Sequence, residues 1–260
     1  MPTPYGLPIW YDLITTDAAA ATAFYGSVVG WGSAAMPMPG GGNPYHIWQA
    51  EETGIGGMIE MAEPPTGGPI WLAYFNVADV DAGMARNIEA GGRTLMGPMD
   101  LPEVGRFALI EDPQGAPFYL MRPDPAMGDT ATTSFSRDLP MRCAWNELTT
   151  RDTATALPFY QSLLGLASTE VLAMGEMGDY CFLDVGETRI GAMMNRSMPE
   201  QPVRWAFYFR VPDADAAAKQ VEDGGGAVLH GPMEVPGGER VVIARDPQGA
   251  LVGFVSGETQ

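Results

Sequence analysis

The sequence predicts an α+β fold made of two tandem copies of one unit, with two βαβββ modules in each copy. Three observations lead to this prediction. The chain of 260 residues repeats itself over nearly its whole length. The order of strand, capped helix and three strands occurs twice within each copy. An Asp-Pro-Gln-Gly turn precedes the last strand of each copy.

The repeat consists of matching segments at a nearly constant spacing, which marks a repeated structural unit. The offset is 135 residues early in each copy and 134 residues later. The matching segments are Trp10–Leu13 with Trp145–Leu148, Phe24–Gly30 with Phe159–Gly165, and Asp112–Gly115 with Asp246–Gly249. We predict one domain over residues 1–124, a linker over 125–140 and a second domain over 141–260.

The first module shows the order of elements that the others repeat. Pro8–Thr16 is rich in aromatic and β-branched residues, which favours a strand. Asp17 is a typical helix N-cap, and the alanine-rich Ala18–Val29 favours a helix. Three short strands follow, and the pattern begins again with a strand and a helix capped by Asp79. Pro158 lies inside the corresponding helix of the second copy, where we expect it to kink the helix.

The charge of the chain excludes several classes of function. It carries 14 basic and 32 acidic side chains, and the net charge of −18 repels nucleic acid and anionic membranes. The same charge either attracts cationic ligands or simply favours solubility. The first residues do not resemble a signal peptide, and the apolar run Ile70–Phe75 is too short to span a membrane. We therefore expect a cytoplasmic protein without nucleic-acid or membrane partners.

Cysteine and histidine are scarce. Cys143 and Cys181 are far apart in the sequence, which argues against a disulfide framework or a thiolate zinc site. His46 and His230 fall in different predicted domains, so they do not form the two-histidine part of a non-haem iron site. We predict no metal cofactor, and the alternative is a divalent ion held by an atypical set of oxygen atoms. We expect a monomer, with a homodimer as the alternative.

The paired modules, with their Asp-capped helices, Phe-Tyr-x-x-x-x-Gly segments and Asp-Pro-x-Gly hairpins, resemble the glyoxalase/bleomycin-resistance/dioxygenase (vicinal oxygen chelate) superfamily. The resemblance spans roughly residues 7–122 and 142–255, and the layout is similar to two-domain bacterial members labelled glyoxalase-like or hydroxylase. It implies that the four βαβββ modules pair into two open half-barrels of mixed sheet. The superfamily contains isomerases, dioxygenases, thiol transferases and metal-free antibiotic binders, so the resemblance predicts the fold more specifically than the chemistry.

The resemblance also implies where a metal would bind. Metal-using members place His or Gln on the first strand of each module and Glu on the last strand. None of the matching positions in this chain carries a usual metal ligand. These positions are Trp10, Ile59, Leu72, Tyr119, Trp145, Met194, Ala206 and Gly253. A metal-dependent glyoxalase or dioxygenase activity is therefore not expected.

Two acidic residues remain as candidates for chemistry. Strand alternation places Asp12 on the same face as Trp10, and Glu147 on the same face as Trp145. A carboxylate beneath an indole is desolvated, which raises its pKa and suits either acid/base catalysis or capture of a cationic ligand. The alternative is that each carboxylate only accepts structural hydrogen bonds.

Further residues are predicted to line the cavities and bind a ligand, with simple core packing as the alternative for each. These residues are Trp10, His46, Trp48, Met58, Tyr119, Trp145, Cys181, Met193 and Trp205.

Three functional hypotheses follow from the sequence. The first is metal-independent binding of a small organic molecule, either cationic or aromatic, in an aromatic and acidic cavity. The second is an enzyme of the lyase/isomerase or dioxygenase type, which uses Asp12 and Glu147 for acid/base chemistry or has an atypical metal site. The third is a scaffold protein whose cavities are filled.

Overall fold

The structure is a computed structural model that describes residues 3–38, 41–124 and 133–257. Its described residues form two eight-stranded mixed sheets with the same strand order. Each sheet comes from one copy of the repeat, and each copy contributes two βαβββ modules. The predicted α+β class and the duplication are thereby confirmed. No helix in the described part of the chain is both long enough and apolar enough to span a membrane.

The first sheet has the order β2-β3-β4-β1-β5-β8-β7-β6, and two helices accompany it. Its elements are β1 (Pro8–Thr15), α1 (Ala18–Val28), β2 (Gly32–Met36), β3 (Tyr45–Ala50), β4 (Thr53–Glu60), β5 (Ile70–Asn76), α2 (Val80–Glu89), β6 (Arg93–Leu101), β7 (Gly105–Glu111) and β8 (Pro117–Pro123).

The second sheet has the order β10-β11-β12-β9-β13-β16-β15-β14. Its elements are β9 (Cys143–Thr150), α3 (Thr153–Leu164), β10 (Val171–Ala173), β11 (Asp179–Val185), β12 (Thr188–Asn195), β13 (Arg204–Arg210), α4 (Ala214–Asp223), β14 (Ala227–Glu234), β15 (Arg240–Arg245) and β16 (Leu251–Ser256).

The helices begin where the sequence predicts. The side chain of Asp17 accepts a hydrogen bond from the amide of Ala20 at 2.9 Å, and Asp79 caps α2 in the same way. These bonds satisfy amide groups that have no partner within the helix. The helix α3 continues from Thr153 to Leu164 through Pro158, so this proline does not end the helix.

The chain folds into two compact units. The first unit comprises Met1–Ile9, Leu72–Thr132 and Asn146–Trp205, and the second comprises Trp10–Trp71, Thr133–Trp145 and Ala206–Gln260. Each unit therefore combines a module of the first copy with a module of the second. The domain boundaries at 1–124 and 141–260 remain a prediction, and residues 125–132 of the predicted linker lie outside the described residues.

A chain of buried hydrogen bonds runs through the second unit. The indole N–H of Trp71 donates to Tyr25 Oη at 2.8 Å, and the Tyr25 hydroxyl donates to Asp246 Oδ2 at 3.0 Å. The other oxygen of Asp246 accepts backbone amides of its own turn, including that of Ala250 at 2.8 Å. These hydrogen bonds thus connect helix α1 of the first copy to the Asp-Pro-Gln-Gly turn of the second copy.

The first unit repeats this chain of hydrogen bonds. The indole of Trp205 donates to Tyr160 Oη at 3.2 Å, and the Tyr160 hydroxyl donates to Asp112 Oδ2 at 2.8 Å. Asp112 Oδ1 accepts three backbone amides of its turn, from Gln114, Gly115 and Ala116. The repeated Phe-Tyr and Asp-Pro-Gln-Gly motifs therefore meet each other in the folded protein.

Burial changes the ionisation of the groups in these chains. It raises the pKa of Asp112 and of Asp246, although the hydrogen bonds that each carboxylate accepts oppose this effect. Burial is also the largest cause that raises the pKa of Tyr25 and of Tyr160 well above the usual value for a phenol. Both phenols therefore remain neutral hydrogen-bond donors at physiological pH.

An aromatic cluster surrounds the first of these tyrosines. The ring centroid of Tyr25 lies 5.7 Å from that of Trp31, 5.6 Å from that of Trp48 and 5.3 Å from that of Trp71. Phe209 of β13 packs edge-on against Trp31 at 4.7 Å. Such ring pairs add to the free energy of burying their apolar area. This cluster forms part of the core of the second unit.

Replacing Tyr160 by Phe should lower the free energy of unfolding by about 1.5–3 kcal/mol, because it leaves the buried Asp112 carboxylate without one donor. The matched change Tyr25→Phe should have a similar effect, while Tyr5→Phe is the control because Tyr5 is 64% exposed. Urea denaturation of the three variants measures the effect. Equal stability of Tyr160→Phe and the control would show that the buried bond contributes nothing.

Candidate functional site

Three side chains form a hydrogen-bonded cluster on β1 and β3, which we call the first-copy cluster: Trp10, Asp12 and Tyr45. The Tyr45 hydroxyl donates to Asp12 Oδ1 at 2.7 Å. The indole N–H of Trp10 lies 2.7 Å from Tyr45 Oη and 3.1 Å from Asp12 Oδ1. Asp12 is only 1% exposed, whereas both aromatic residues are half-buried. The aromatic side chains therefore cover the carboxylate.

A glycine makes room for this cluster. Gly57 of β4 pairs with Asp12 in the parallel register of β1 and β4. A Cβ atom at Gly57 would lie 1.8 Å from Tyr45 Oη and 2.5 Å from Asp12 Oδ1. Gly57 was not among the residues predicted from the sequence, although a glycine inside a strand often marks a place where another group approaches the backbone closely.

The second copy has an equivalent pair, Glu147 and Tyr180, which we call the second-copy cluster. The Tyr180 hydroxyl donates to Glu147 Oε2 at 2.7 Å. The two residues lie 135 positions after Asp12 and Tyr45. Ala192 occupies the position of Gly57 and pairs with Glu147 in the sheet. Glu147 is half-buried and is thus the more accessible of the two carboxylates.

His46 does not lie on the same face of β3 as Tyr45, and its ligand-binding role remains a prediction. Tyr45 contacts Asp12, and the side chain of the next residue in a strand points to the opposite face. His46 accordingly lies beside Ser33, with 3.3 Å between Nδ1 and Oγ. The sequence pattern alone could not show which face of β3 would turn towards β1.

Trp48 and Met58 also lie on the side of the sheet away from Asp12. Trp48 is fully buried and packs in the aromatic cluster around Tyr25. Met58 is also fully buried, and it pairs with Leu13 and His46 on the side of the sheet away from Asp12. Both residues are core side chains and do not line a cavity with Trp10.

The ligand-binding roles of Cys181, Met193 and Trp205 in the second copy also remain predictions. Cys181 follows Tyr180 in β11 and therefore faces away from Glu147, and its partner Met193 is fully buried. Trp205 is buried and donates to Tyr160, as described above. Burial raises the pKa of the Cys181 thiol, so it is a poor nucleophile.

Tyr119 lies in a stack of aromatic rings in the first unit. Its ring is parallel to that of Tyr74, with 4.0 Å between the centroids and 4° between the planes. Phe107 packs edge-on against both rings. At the position of Tyr119 the second copy has Gly253, and a Cβ atom there would lie 2.2 Å from the ring of Tyr208. The two copies thus fill this part of the sheet differently.

Trp145, the counterpart of Trp10, is also half-buried. It packs against a small apolar cluster that includes Ala206, Tyr208 and Val255. The guanidinium carbon of Arg137 lies 5.3 Å from the centre of the indole ring, within the range of a cation–π contact. Sequence analysis did not predict a role for Arg137.

The donor set does not fit a divalent metal ion. The indole N–H of Trp10 and Trp145 can only donate a hydrogen bond, so neither side chain can replace a histidine ligand. Within the ranges that the structure describes, no three His, Cys, Asp or Glu side chains lie close enough to hold a metal. At the strand positions where the resemblance places metal ligands, this chain therefore has other types of residue.

Sequence comparison identifies the family. The profile of the Glyoxalase/Bleomycin resistance protein/Dioxygenase superfamily matches residues 8–120 and 142–254. The chain belongs to this superfamily. The resemblance predicted from the repeated motifs is confirmed, and the two matched segments agree with the duplication.

Two curated relatives cover almost the entire chain. The "Putative glyoxylase CFP32" of Mycobacterium tuberculosis is 35% identical over 249 residues, which are 95% of this chain and 93% of that protein. The "Anthracycline biosynthesis protein DnrV" of Streptomyces peucetius is 31% identical over 260 residues, with 94% and 91% coverage. The duplicated architecture is therefore shared with proteins of different names.

Solved structures show the same fold at low sequence identity. The Mn(II)-bound glyoxalase from Novosphingobium aromaticivorans is 16% identical, with a TM-score of 0.64 over 98% of this chain and 83% of that chain. Homoprotocatechuate 2,3-dioxygenase from Brevibacterium fuscum, in complex with its substrate, is 16% identical, with a TM-score of 0.67 and coverage of 99% and 82%. At this identity the likeness shows the fold and not the activity.

Replacing Gly57 by Ala should displace Tyr45 from Asp12, because the new methyl group overlaps the phenol oxygen. Overpacking of this kind costs about 1–3 kcal/mol of stability. Gly68→Ala is the control, since a Cβ atom at Gly68 meets nothing within 4 Å. Urea denaturation measures the cost, and tryptophan fluorescence reports the altered surroundings of Trp10. If Gly57→Ala matches Gly68→Ala in both measurements, the close packing of the first-copy cluster is disproved.

Proposed function

We propose that this protein binds a small organic molecule, cationic and aromatic, at the carboxylate clusters of β1 and β9 without a resident metal ion. The observation that carries the proposal is the repeated carboxylate–tyrosine pair, Asp12 with Tyr45 and Glu147 with Tyr180. Each carboxylate lies two residues after a tryptophan, and that tryptophan is at the strand position where metal-using members of the superfamily carry a metal ligand.

The chemistry of these pairs suits a cationic ligand. A carboxylate that is shielded from water attracts a cation more strongly than an exposed one does. The half-buried indole of Trp10 offers an aromatic face for a cation–π or stacking contact. The net charge of −18 adds a long-range attraction for cations. The name of the relative DnrV, an anthracycline biosynthesis protein, supports a polycyclic aromatic ligand.

The two clusters have different accessibility. Asp12 is almost completely covered, so a ligand at the first-copy cluster would contact Trp10 and Tyr45 before it reached the carboxylate. Glu147 is half-buried, so it can contact the ligand directly. We therefore assign direct recognition of a cationic group to Glu147.

A second candidate function is acid/base catalysis at the same residues. The distance of 2.7 Å between Tyr180 Oη and Glu147 Oε2 permits proton transfer between the phenol and the carboxylate. The relative named as a glyoxylase favours this candidate. Time-resolved NMR of a bound ligand separates the two functions. A binding protein leaves the ligand unchanged, whereas an enzyme produces new resonances that disappear in Glu147→Gln and Tyr180→Phe.

Glu147→Gln should weaken the binding of benzylamine about tenfold, because it removes a charge-assisted hydrogen bond. Binding of benzyl alcohol, a neutral analogue, should change little. The control is Glu52→Gln, since Glu52 is exposed in a turn. Isothermal titration calorimetry measures all three proteins. Equal affinity of Glu147→Gln and the control for benzylamine would remove Glu147 from the site.

A further inference from the structure

A pocket in the second unit, apart from the first-copy cluster, is lined by charged side chains. Its volume is about 450 Å³, and its walls are Arg137, Asp138, Arg210 and Glu239. We call it the arginine pocket. The volume lies within the range of small-molecule sites in proteins. Two of the 14 basic side chains of a strongly acidic chain therefore meet at one cavity.

Arg137 is available for a ligand. Its guanidinium lies over the ring of Trp145, and it makes no hydrogen bond or ion pair with any residue that the structure describes. A guanidinium carries five N–H donors and is always charged at physiological pH. The contact with Trp145 orients the guanidinium group without using any of its N–H donors.

Hydrogen bonds hold Arg210, another residue of the pocket wall, in place. Its backbone amide donates to the carbonyl of Arg142 at 2.8 Å, and its carbonyl accepts from the amide of Met141 at 3.0 Å. One terminal nitrogen of its side chain donates to Glu239 at 2.6 Å. Its Nε is buried and has no hydrogen-bond partner among the described residues. A buried donor without a partner costs free energy.

An aromatic side chain lies behind one of the charged walls of the pocket. The indole of Trp145 contacts the Arg137 guanidinium and packs against a small apolar cluster that includes Tyr208 and Val255. Tyr208 lies over Gly253, where any larger residue would overlap its ring. The pocket thus combines two guanidinium groups with an adjacent aromatic surface.

The first copy lacks these charged residues. Asn76 is at the position of Arg210, and its side-chain amide donates to the carbonyls of Thr3 and Pro4. Gly105 is at the position of Glu239. Arg210 and Glu239 are therefore specific to the second copy, and Arg137 and Asp138 come from the segment that precedes it.

We infer that the arginine pocket binds the carboxylate of a small aromatic acid between Arg137 and Arg210. Planar guanidinium groups match the two oxygens of a carboxylate, and such charge-assisted bonds are about twice as strong as neutral ones. Glu239 neutralises part of the charge of Arg210 and thereby lowers the affinity for the anion. The inference is independent of the proposed function, because the carboxylate clusters select the opposite charge.

The test is calorimetric titration of the full chain with benzoate, benzyl alcohol and inorganic phosphate. Benzoate should bind at least tenfold more tightly than benzyl alcohol, and phosphate should bind more weakly than benzoate because it lacks the ring. Arg137→Gln should weaken benzoate about tenfold. Benzoate that binds no better than benzyl alcohol, or phosphate that binds better than benzoate, overturns the inference.

Two further variants control this test. Arg189 also lies over an aromatic ring, 4.4 Å from the centre of Phe182, but its donors are already used by Asp184 and Glu170. Arg189→Gln should therefore leave benzoate binding unchanged. Glu239→Gln removes the competing carboxylate and should tighten binding several-fold. Weaker binding in Glu239→Gln, or an equal loss in Arg189→Gln and Arg137→Gln, contradicts the assignment.

Discussion

In each compact unit, a buried tyrosine on the helix of one copy donates its hydroxyl to the aspartate of a hairpin turn in the other copy. Asp112 and Asp246 organise their turns with one oxygen and receive Tyr160 and Tyr25 with the other. Because both partners are buried, the loss of either one would leave an unsatisfied polar group in the core. Trp71 of β5 and Trp205 of β13 donate to these tyrosines. In the sheets, β5 and β13 are the neighbours of β1 and β9, which carry the candidate sites.

Both copies contain this hydrogen-bonded framework, but the side chains at their candidate sites differ. The first-copy cluster has an aspartate that is covered by two aromatic side chains and needs a glycine beside it. The second-copy cluster has a longer glutamate and an alanine at the glycine position, and its carboxylate is more accessible. Arg137 and Asp138 of the arginine pocket lie in the segment between the copies, and Arg210 and Glu239 lie in the second copy, where the first copy has Asn76 and Gly105. The duplicated architecture thus carries different polar groups at different places, which suits the recognition of different chemical groups.

Local sequence signals predicted the framework well. The Asp caps, the turns and the repeat act over a few residues or at a fixed offset, so the caps at Asp17 and Asp79 and the hairpins were predictable. The orientation of β3 was not predictable, because it depends on pairing with distant strands. The structure places His46 and Trp48 on the face of the sheet opposite to Tyr45. Tyr45, Tyr180 and Arg137 have no local signal at all. Their roles arise only from contacts over long sequence separations.

We propose that carboxylate–tyrosine pairs and tryptophans take the place of a metal centre in this member of the superfamily. The metal content of protein purified without chelators, together with thermal denaturation in the presence of Mn²⁺ or Fe²⁺, tests this proposal. We expect far less than one metal ion per chain and no shift of the melting temperature. One tightly bound ion per chain with a clear rise of the melting temperature would contradict it, since a ligand of the native state stabilises that state by mass action.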